Sequence, residues 1–320
     1  MKLTPRIHFS ALILVLPGLL PLYAAYAGET FYLTLFCRIL IFAIAAASLN
    51  LVLGYGGMVS FGHALYFGLG AYVVGILAKH EWTNGWTQLS ITLACCAMVG
   101  VLTGIIALRT TGIAFIMITL AFSQMSYFLF VSLKQYGGDD GLSIVARSDF
   151  GILDFNDSTV FYYVCYVALL TIMFLGYRLV HARFGMVLRA TRSNERRMLA
   201  LGFATLHYRL LAYVLSAMVC GVAGMLYANL TLFSSPSYMS WSMSGDLIIM
   251  VVLGGVASVM GPLLGAMSLI LLEEILKSHT DHWMMILGVL IVAIVLLTKR
   301  GINGLLQDLE PSIPAKGKAP

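Results

Sequence analysis

The side chains that usually do chemistry are present in this chain, but their spacing builds no catalytic constellation. The seven histidines are dispersed, and there is no H-E-x-x-H pair, no G-x-x-x-x-G-K-[ST] phosphate loop and no G-x-S-x-G nucleophile elbow. Glu273-Glu274 is the one adjacent carboxylate pair in an apolar setting. Lys277 follows closely, which points to a helix end at the outer membrane interface rather than to an acid–base dyad. Five cysteines (Cys37, Cys95, Cys96, Cys165 and Cys220) lie in apolar runs without a C-x-x-C pair, so neither a disulfide framework nor a zinc site is expected. Any energy source is then an ion gradient or a separate ATP-hydrolysing subunit.

Polar residues inside apolar runs are the next candidates. The run 54-GYGGMVSFGHALYFGLGAY-72 is too glycine-rich for an ordinary helix and too apolar for an ordinary loop. Gly54, Gly57 and Gly62 mark it as a helix break, and Gly261-Pro262 marks a second one, because proline removes a backbone donor and clashes with the preceding turn. Around these breaks Asn50, Ser60, His63, Thr119, Ser123 and Gln124 are the candidate lining of a translocation path. Thr119 and Ser123 share one helical face. Taken singly, each reads first as an interhelical hydrogen bond, and His63 reads first as a packing histidine. Val52-Leu53-Gly54 before Gly62-His63 is echoed by Val252-Leu253-Gly254 before Gly261-Pro262. Paired interrupted helices of this kind flank substrate paths in transporters built from repeats.

These residues need a frame, and composition supplies it. Of 320 residues, 60% are hydrophobic and 10% charged, far below the charge content of a soluble domain, and apolar runs long enough to cross a bilayer recur throughout. The fold class is all-α: a polytopic transmembrane helical bundle of about 8–10 spans with interrupted or re-entrant helices. Apolar periods place helices over 9–27, 31–53, 57–78, 88–108, 112–133, 160–181, 208–233, 245–260, 262–276 and 283–298. Residues 1–30 form a first span or signal anchor, and retention is expected over cleavage after Ala27. Residues 31–305 are expected to form the transmembrane domain, with a cytoplasmic loop over 182–209, and 306–320 a cytoplasmic tail. An ion-coupled carrier buries ionisable groups mid-membrane, yet the spans hold few, with Arg38 the main one.

Charge sets orientation. Residues 182–209 carry six arginines against Glu195, whereas 134–159 carry two bases against Asp139, Asp140, Asp149, Asp154 and Asp157. The first loop is therefore expected in the cytoplasm, along with both termini, since Lys2, Arg6 and Lys299-Arg300 are basic.

The arginine-rich loop 189-RATRSNERRMLALGFATLHYR-209 holds more than charge. Ser193 or Asn194 can cap a short helix, Glu195 suits its positive end, and Gly202 can end it. Met198, Leu199 and Leu201 give it an apolar patch beside Arg196 and Arg197. A loop that only fixes topology needs none of these features, so a knob for a soluble partner is expected here.

Several runs together resemble the M-type permease of branched-chain amino acid ABC importers. They are 49-LNLVLGYGGMVSFGHALYFGLGAY-72, 111-TGIAFIMITLAFSQ-124, 137-GGDDGLS-143, 184-FGMVLRATRSNERRMLALGFATLHYRLLAYVLSAMVCGVAGMLYA-228, 244-SGDLIIMVVLGGVASVMGPLLGA-266 and Lys299-Arg300-Gly301. The resemblance runs from about residue 38 to 305. It implies a multi-pass subunit of a bacterial inner membrane, paired with a second, homologous permease, two cytoplasmic ABC ATPases that bind ATP and Mg, and a periplasmic substrate-binding protein. It implies that Arg189, Arg192, Ser193, Asn194, Glu195, Arg196, Arg197, Leu201 and Gly202 form the segment docking on an ATPase. It also implies that the chain has no cofactor and no catalytic site of its own. Met58 and Gln135-Tyr136 depart from the usual pattern, and such permeases also move urea, short amides and aromatic acids. The rival readings are a gradient-driven carrier or channel acting alone and a membrane-embedded enzyme.

Overall fold

The computed structural model describes residues 17–21, 30–151, 155–297, 301–302 and 304. The N-terminal span over 9–27 is described only at 17–21, which are helical. The Ala27–Gly28 junction, Lys2, Arg6, Lys299-Arg300 and the tail lie outside the described residues.

The described residues form an all-α bundle with one two-residue strand pair. Helix α1 spans Thr30–Asn50 and runs on into a π-helical turn, Leu51–Tyr55. It is followed by α2 (His63–Lys79), α3 (Gly85–Ala107), α4 (Ile113–Ser132) and α5 (Ser158–His181). Two short helices, α6 (Arg183–Ser193) and α7 (Glu195–Ala200), lead into α8 (Thr205–Thr231). The chain closes with α9 (Trp241–Gly254), α10 (Gly261–His279) and α11 (Trp283–Leu297). Five stretches are long and apolar enough to cross a membrane (Phe31–Tyr55, Gly85–Ala107, Ile113–Ser132, Ser158–His181 and Thr205–Thr231), with α2, α9 and α11 as shorter apolar helices. The protein is a multi-pass membrane protein.

Burial sorts these helices by position. The apolar stretch through α1 is 83% buried, against 22–28% for α3, α4 and α5. Those three helices turn Met98, Leu102, Met117, Met125, Phe128, Val167 and Phe174 outward, as lipid-facing helices do. Helix α8 packs against α1, α2 and α3. Its approach to α2 is backbone-close, because Cβ atoms added at Gly70 or Gly224 would overlap the Gly221 and Phe67 backbones.

Two boundaries differ from the apolar pattern. The expected helix over 57–78 starts at His63 instead, because Gly57 has φ +69° and residues 57–60 leave the helix after the π turn. The expected helix over 245–260 starts earlier and stops at Gly254. Ser240 caps its first turn through Met243 N, and Gly255 has φ +116°.

At one end of the bundle the loop between α4 and α5 is tied down. Strand β1 (Leu142–Ser143) pairs antiparallel with β2 (Phe233–Ser234). Ser148 donates to Gln88 Oε1 at 2.5 Å and to Asn229 Oδ1 at 2.9 Å. The opposite end carries α6 and α7.

Candidate functional site

The two helix breaks meet. Asn50, the last residue of α1 and 3% exposed, donates from Nδ2 to Ser258 O at 2.8 Å and accepts at Oδ1 from Ala257 N at 3.0 Å. One amide therefore holds a donor and an acceptor of the 255–260 break against the end of α1. Gly54 is glycine for the same reason, since a Cβ there would overlap Asn50 Oδ1 and lie 2.7 Å from Ala257 N. The next turn is equally close, where a Cβ on Gly254 would overlap Gly261.

The first break is fastened by side chains from three other helices. Thr119 Oγ1 on α4 accepts from Phe61 N at 3.1 Å. Ser244 Oγ on α9 donates to Phe61 O at 2.7 Å and accepts from Ala64 N at 3.0 Å. His63 is fully buried, with Nε2 2.7 Å from Ser216 Oγ and Nδ1 3.3 Å from Ser60 Oγ. Ser216 Oγ donates to Ser48 O at 2.5 Å, so its oxygen accepts and Nε2 carries the proton. Ser60 Oγ accepts from Gly62 N and has its proton left for Nδ1. Both ring nitrogens are thus taken by serines, and Tyr66 and Tyr213 flank the ring edge-on at 6.1 and 6.2 Å.

Of the other sequence-predicted polar residues, Ser123 donates to Met239 O at 2.7 Å. Gln124 is half-buried, and its Nε2 has no hydrogen-bond partner among the described residues. In this conformation Asn50, Ser60, His63 and Thr119 clasp the breaks from within rather than standing open, and Ser123 fastens the segment before α9 instead. Space lies on both sides of the clasp. A cavity of about 210 Å³ separates Gly56–Val59 from Thr191, Arg192 and Arg209. A larger, apolar one of about 960 Å³ lies behind the breaks, bordered by Ser48, Asn50, Tyr55, Tyr177 and Pro262.

The arginine-rich loop is built as its residues predict. Asn194, rather than Ser193, is the cap of α7 and accepts from Arg197 N at 3.0 Å. Gly202 has φ +85° and closes the helix: Gly202 N donates to Leu199 O at 3.0 Å and Phe203 N to Met198 O at 3.1 Å, the paired bonds of a Schellman ending. Met198 anchors the helix inward, while Leu199, Leu201 and Phe203 are 54%, 65% and 38% exposed beside the exposed Arg196 and Arg197. The remaining charges of the loop face the bundle. Arg189 binds Val180 O at 3.2 Å and Gly185 O at 3.3 Å. Arg192 donates to Gly54 O, and Gly57 packs on its side chain. Glu195 pairs with Arg209 Nη1 at 3.0 and 3.1 Å and accepts from Thr205 Oγ1 at 3.2 Å, while Arg209 Nε sits 3.3 Å from Met58 Sδ. The loop thus reaches the first break at Gly54, Gly57 and Met58.

Sequence reasoning passed over Asp246. Pattern alone puts it at the start of a span over 245–260, a cheap interfacial position. The segment before α9 instead dips into the bundle, where Met239 is fully buried against Gly68. Gly68 lies eleven residues, roughly 16 Å of helix, below the Lys79 end of α2. Asp246 is therefore carried inward, to within electrostatic reach of Arg38 and Glu273. Glu273, expected at a helix end, lies inside α10, 3.5 Å from Arg38 Nη2 and 2.6 Å from Lys277 Nζ. A lone charge at the centre of a spanning helix costs about 2.5–3.5 kcal/mol, so these four groups need one another or water.

Residues 31–295 match the family described as "Branched-chain amino acid transport system / permease component". The high-affinity branched-chain amino acid transport system permease protein LivM of Escherichia coli (strain K12) is 26% identical over 287 residues, covering 82% of this chain and 68% of that protein. The protein of the same name from Salmonella typhimurium aligns with the same figures. The probable branched-chain amino acid transport permease protein LivM of Methanocaldococcus jannaschii is 24% identical over 286 residues, covering 78% of this chain and 82% of that one. No solved structure matches the chain significantly.

Proposed function

Since the chain belongs to the family of permease components of branched-chain amino acid transport systems, we propose that it is the membrane-spanning, non-hydrolytic subunit of an ATP-driven importer. In this reading it pairs with a second permease, receives substrate from a periplasmic binding protein and is driven by two cytoplasmic ATPases that hold ATP and Mg. The observation that carries the reading is the form of α7: a capped, six-residue helix that ends at a left-handed glycine and displays Leu199 and Leu201 beside Arg196 and Arg197. Such a knob is too short to span and too apolar for a solvated loop, and it fits a groove on a soluble partner. Behind it, Arg192 on Gly54 O and Glu195 on Arg209 give a displacement of α7 a direct route into the first break. Moving the break would open the clasp formed by Asn50, Ser60, His63 and Thr119, switching the path between its two sides. The arginine-rich end, with both termini, then faces the cytoplasm and the aspartate-rich loop faces outward. The relatives' names favour branched-chain amino acids as substrate, with urea, short amides and aromatic acids as the alternatives.

Co-purification tests this reading. The chain should retain two ATPase subunits, and the double change Leu199→Asp and Leu201→Asp should release them while the permease pair survives. Solute uptake by this chain alone in liposomes without ATP would overturn the proposal and favour a gradient-driven carrier.

A further inference from the structure

Helices α1 and α5 pack along one another, and each brings a cysteine to the contact. Cys37 and Cys165 stand 128 positions apart in sequence, yet their Sγ atoms lie 3.5 Å from each other. Each sits seven residues, about 10 Å of helix, in from the start of its helix, at the end of the bundle opposite α6 and α7. Two of the other sulfurs are directed at backbone instead, Cys96 Sγ at Tyr66 O (3.9 Å) and Cys220 Sγ at His63 O (3.3 Å). All five cysteines are free thiols in this structure.

Cysteines buried at a helix contact are ordinarily inert packing residues. Here a small cavity gives one of them access. It holds about 40 Å³ and is bordered by Cys37, Arg147, Ser158 and Phe161. Ser158 is exposed, so the cavity meets the surface beside it, and Arg147 and Ser158 give it a polar wall. A polar space of roughly 10–15 Å³ already admits a water molecule. Hydrogen peroxide is little larger and bonds to the same groups, whereas a protein oxidoreductase cannot enter. Cys165 does not border the cavity and stands fully buried behind Cys37. That is the arrangement of a thiol that meets the oxidant and a second one that resolves it.

We infer that Cys37 and Cys165 form a peroxide-sensitive dithiol that closes to a disulfide between α1 and α5. Hydrogen peroxide in the cavity transfers one oxygen to Cys37 Sγ, giving a sulfenic acid and one water. Cys165 Sγ then attacks the Cys37 sulfur. The S–O bond breaks, the S–S bond forms, and the hydroxyl leaves with the thiol proton as a second water. Two thiols give up two electrons in all, and one peroxide is reduced to two waters. The sulfurs close by about 1.5 Å to bond. The link ties α1, which runs into the first break, to α5, which leads through α6 to Arg192 on Gly54 O. Two elements that already meet at Gly54 are thereby joined again at the other end of the bundle. The site goes beyond the importer reading, which supplies only its exposure to an outer compartment where disulfides persist.

The test uses the reduced full-length chain in detergent micelles, treated with hydrogen peroxide, quenched with catalase and then unfolded in SDS with a maleimide mass tag. Wild type should lose the tags on Cys37 and Cys165 and regain both with dithiothreitol. Proteolysis should yield a linked pair of peptides that contain these two residues. Cys165→Ser should form no link and should instead hold Cys37 as a sulfenic acid, trapped by dimedone added with the SDS. Cys37→Ser should form no link and keep the tag on Cys165, which has no cavity of its own. Both variants preserve side-chain size, and size-exclusion elution matching wild type verifies their fold. Retention of both tags by peroxide-treated wild type would overturn the dithiol, as would loss of the tags without a linked peptide. Loss of the Cys165 tag in Cys37→Ser would overturn the order of attack on which it rests.

Discussion

Replacing Asn50 by leucine removes the amide that joins the two breaks while keeping the side chain's approximate volume. Two hydrogen bonds go, at 2.8 and 3.0 Å, and with them the partners of Ser258 O and Ala257 N. Side-chain hydrogen bonds in membrane proteins average about 0.6 kcal/mol and reach about 1.7, so the bonds themselves give roughly 1–3 kcal/mol. Each orphaned backbone group adds about 1–3 kcal/mol if it stays dry. Ala257 and Ser258 lie in a short non-helical turn that can shift toward other partners, so the lower end of that range applies. The expected loss is about 3 kcal/mol in the unfolding free energy of the purified chain, read by SDS titration in mixed micelles. Asn50→Asp keeps the acceptor for Ala257 N and should lose less. Gly54→Ala pushes a methyl into the same contact, so its effect and that of Asn50→Leu should fall short of additivity by at least about 0.5 kcal/mol. A loss under about 1 kcal/mol for Asn50→Leu, or strict additivity with Gly54→Ala, would refute the clamp.

Three further expectations bear on other parts of the bundle. Gly224→Leu should prevent accumulation of folded protein, as judged by monodisperse size-exclusion chromatography, because its side chain would enter the Phe67 backbone and overpacking costs about 1–3 kcal/mol or more. Glu195→Ala leaves Arg209, whose side chain is 10% exposed, without its carboxylate. Because Glu195 itself is 37% exposed, the expected stability loss is only about 1 kcal/mol, while coupling of ATP hydrolysis to uptake should fall more sharply. Gly202→Val forces a β-branched residue to φ +85° and should cost about 1–2 kcal/mol locally, seen as faster amide exchange in 195–203 with the transmembrane helices unchanged.

The membrane class, the helices and the architecture of α7 were legible because each follows from local chemistry. Apolar runs declare spans, Asn194 and Gly202 declare helix ends, and Gly57 and Pro262 declare breaks. The depth of α9 was not legible. It depends on Met239 finding the space left by Gly68, a contact across more than 170 residues that no local pattern encodes. An error of a few residues in that depth leaves Asp246 unremarked at the start of an expected span. The inward orientation of Glu195 was hidden for a related reason. Its position at the start of a helix explains why an acid stands there, but only the return of the chain in α8 supplies Arg209 as its partner.

The same contrast separates what holds the site from what would move it. Hydrogen bonds within the clasp run from α1, α4, α8 and α9 onto the two breaks, so the breaks are tied to four helices at once. The polar contacts from α6 and the start of α8 end on the first break, at Gly54, Gly57 and Met58, while Ala257 of the second break packs on the apolar cluster of Val180, Leu188 and Ala212. A push delivered through α7 therefore acts on the first break directly and reaches the second through the Asn50 amide and the close approach of Gly54 to Ala257. Severing Asn50 should remove the polar link between the two breaks without disturbing the docking helix. Asn50→Ala is then expected to keep its ATPase partners and its basal ATP hydrolysis while losing uptake, whereas Arg192→Met should lose uptake with Asn50 and the second break still joined. If Asn50→Ala instead transports normally, the Asn50 amide is not the link that carries the push to the second break.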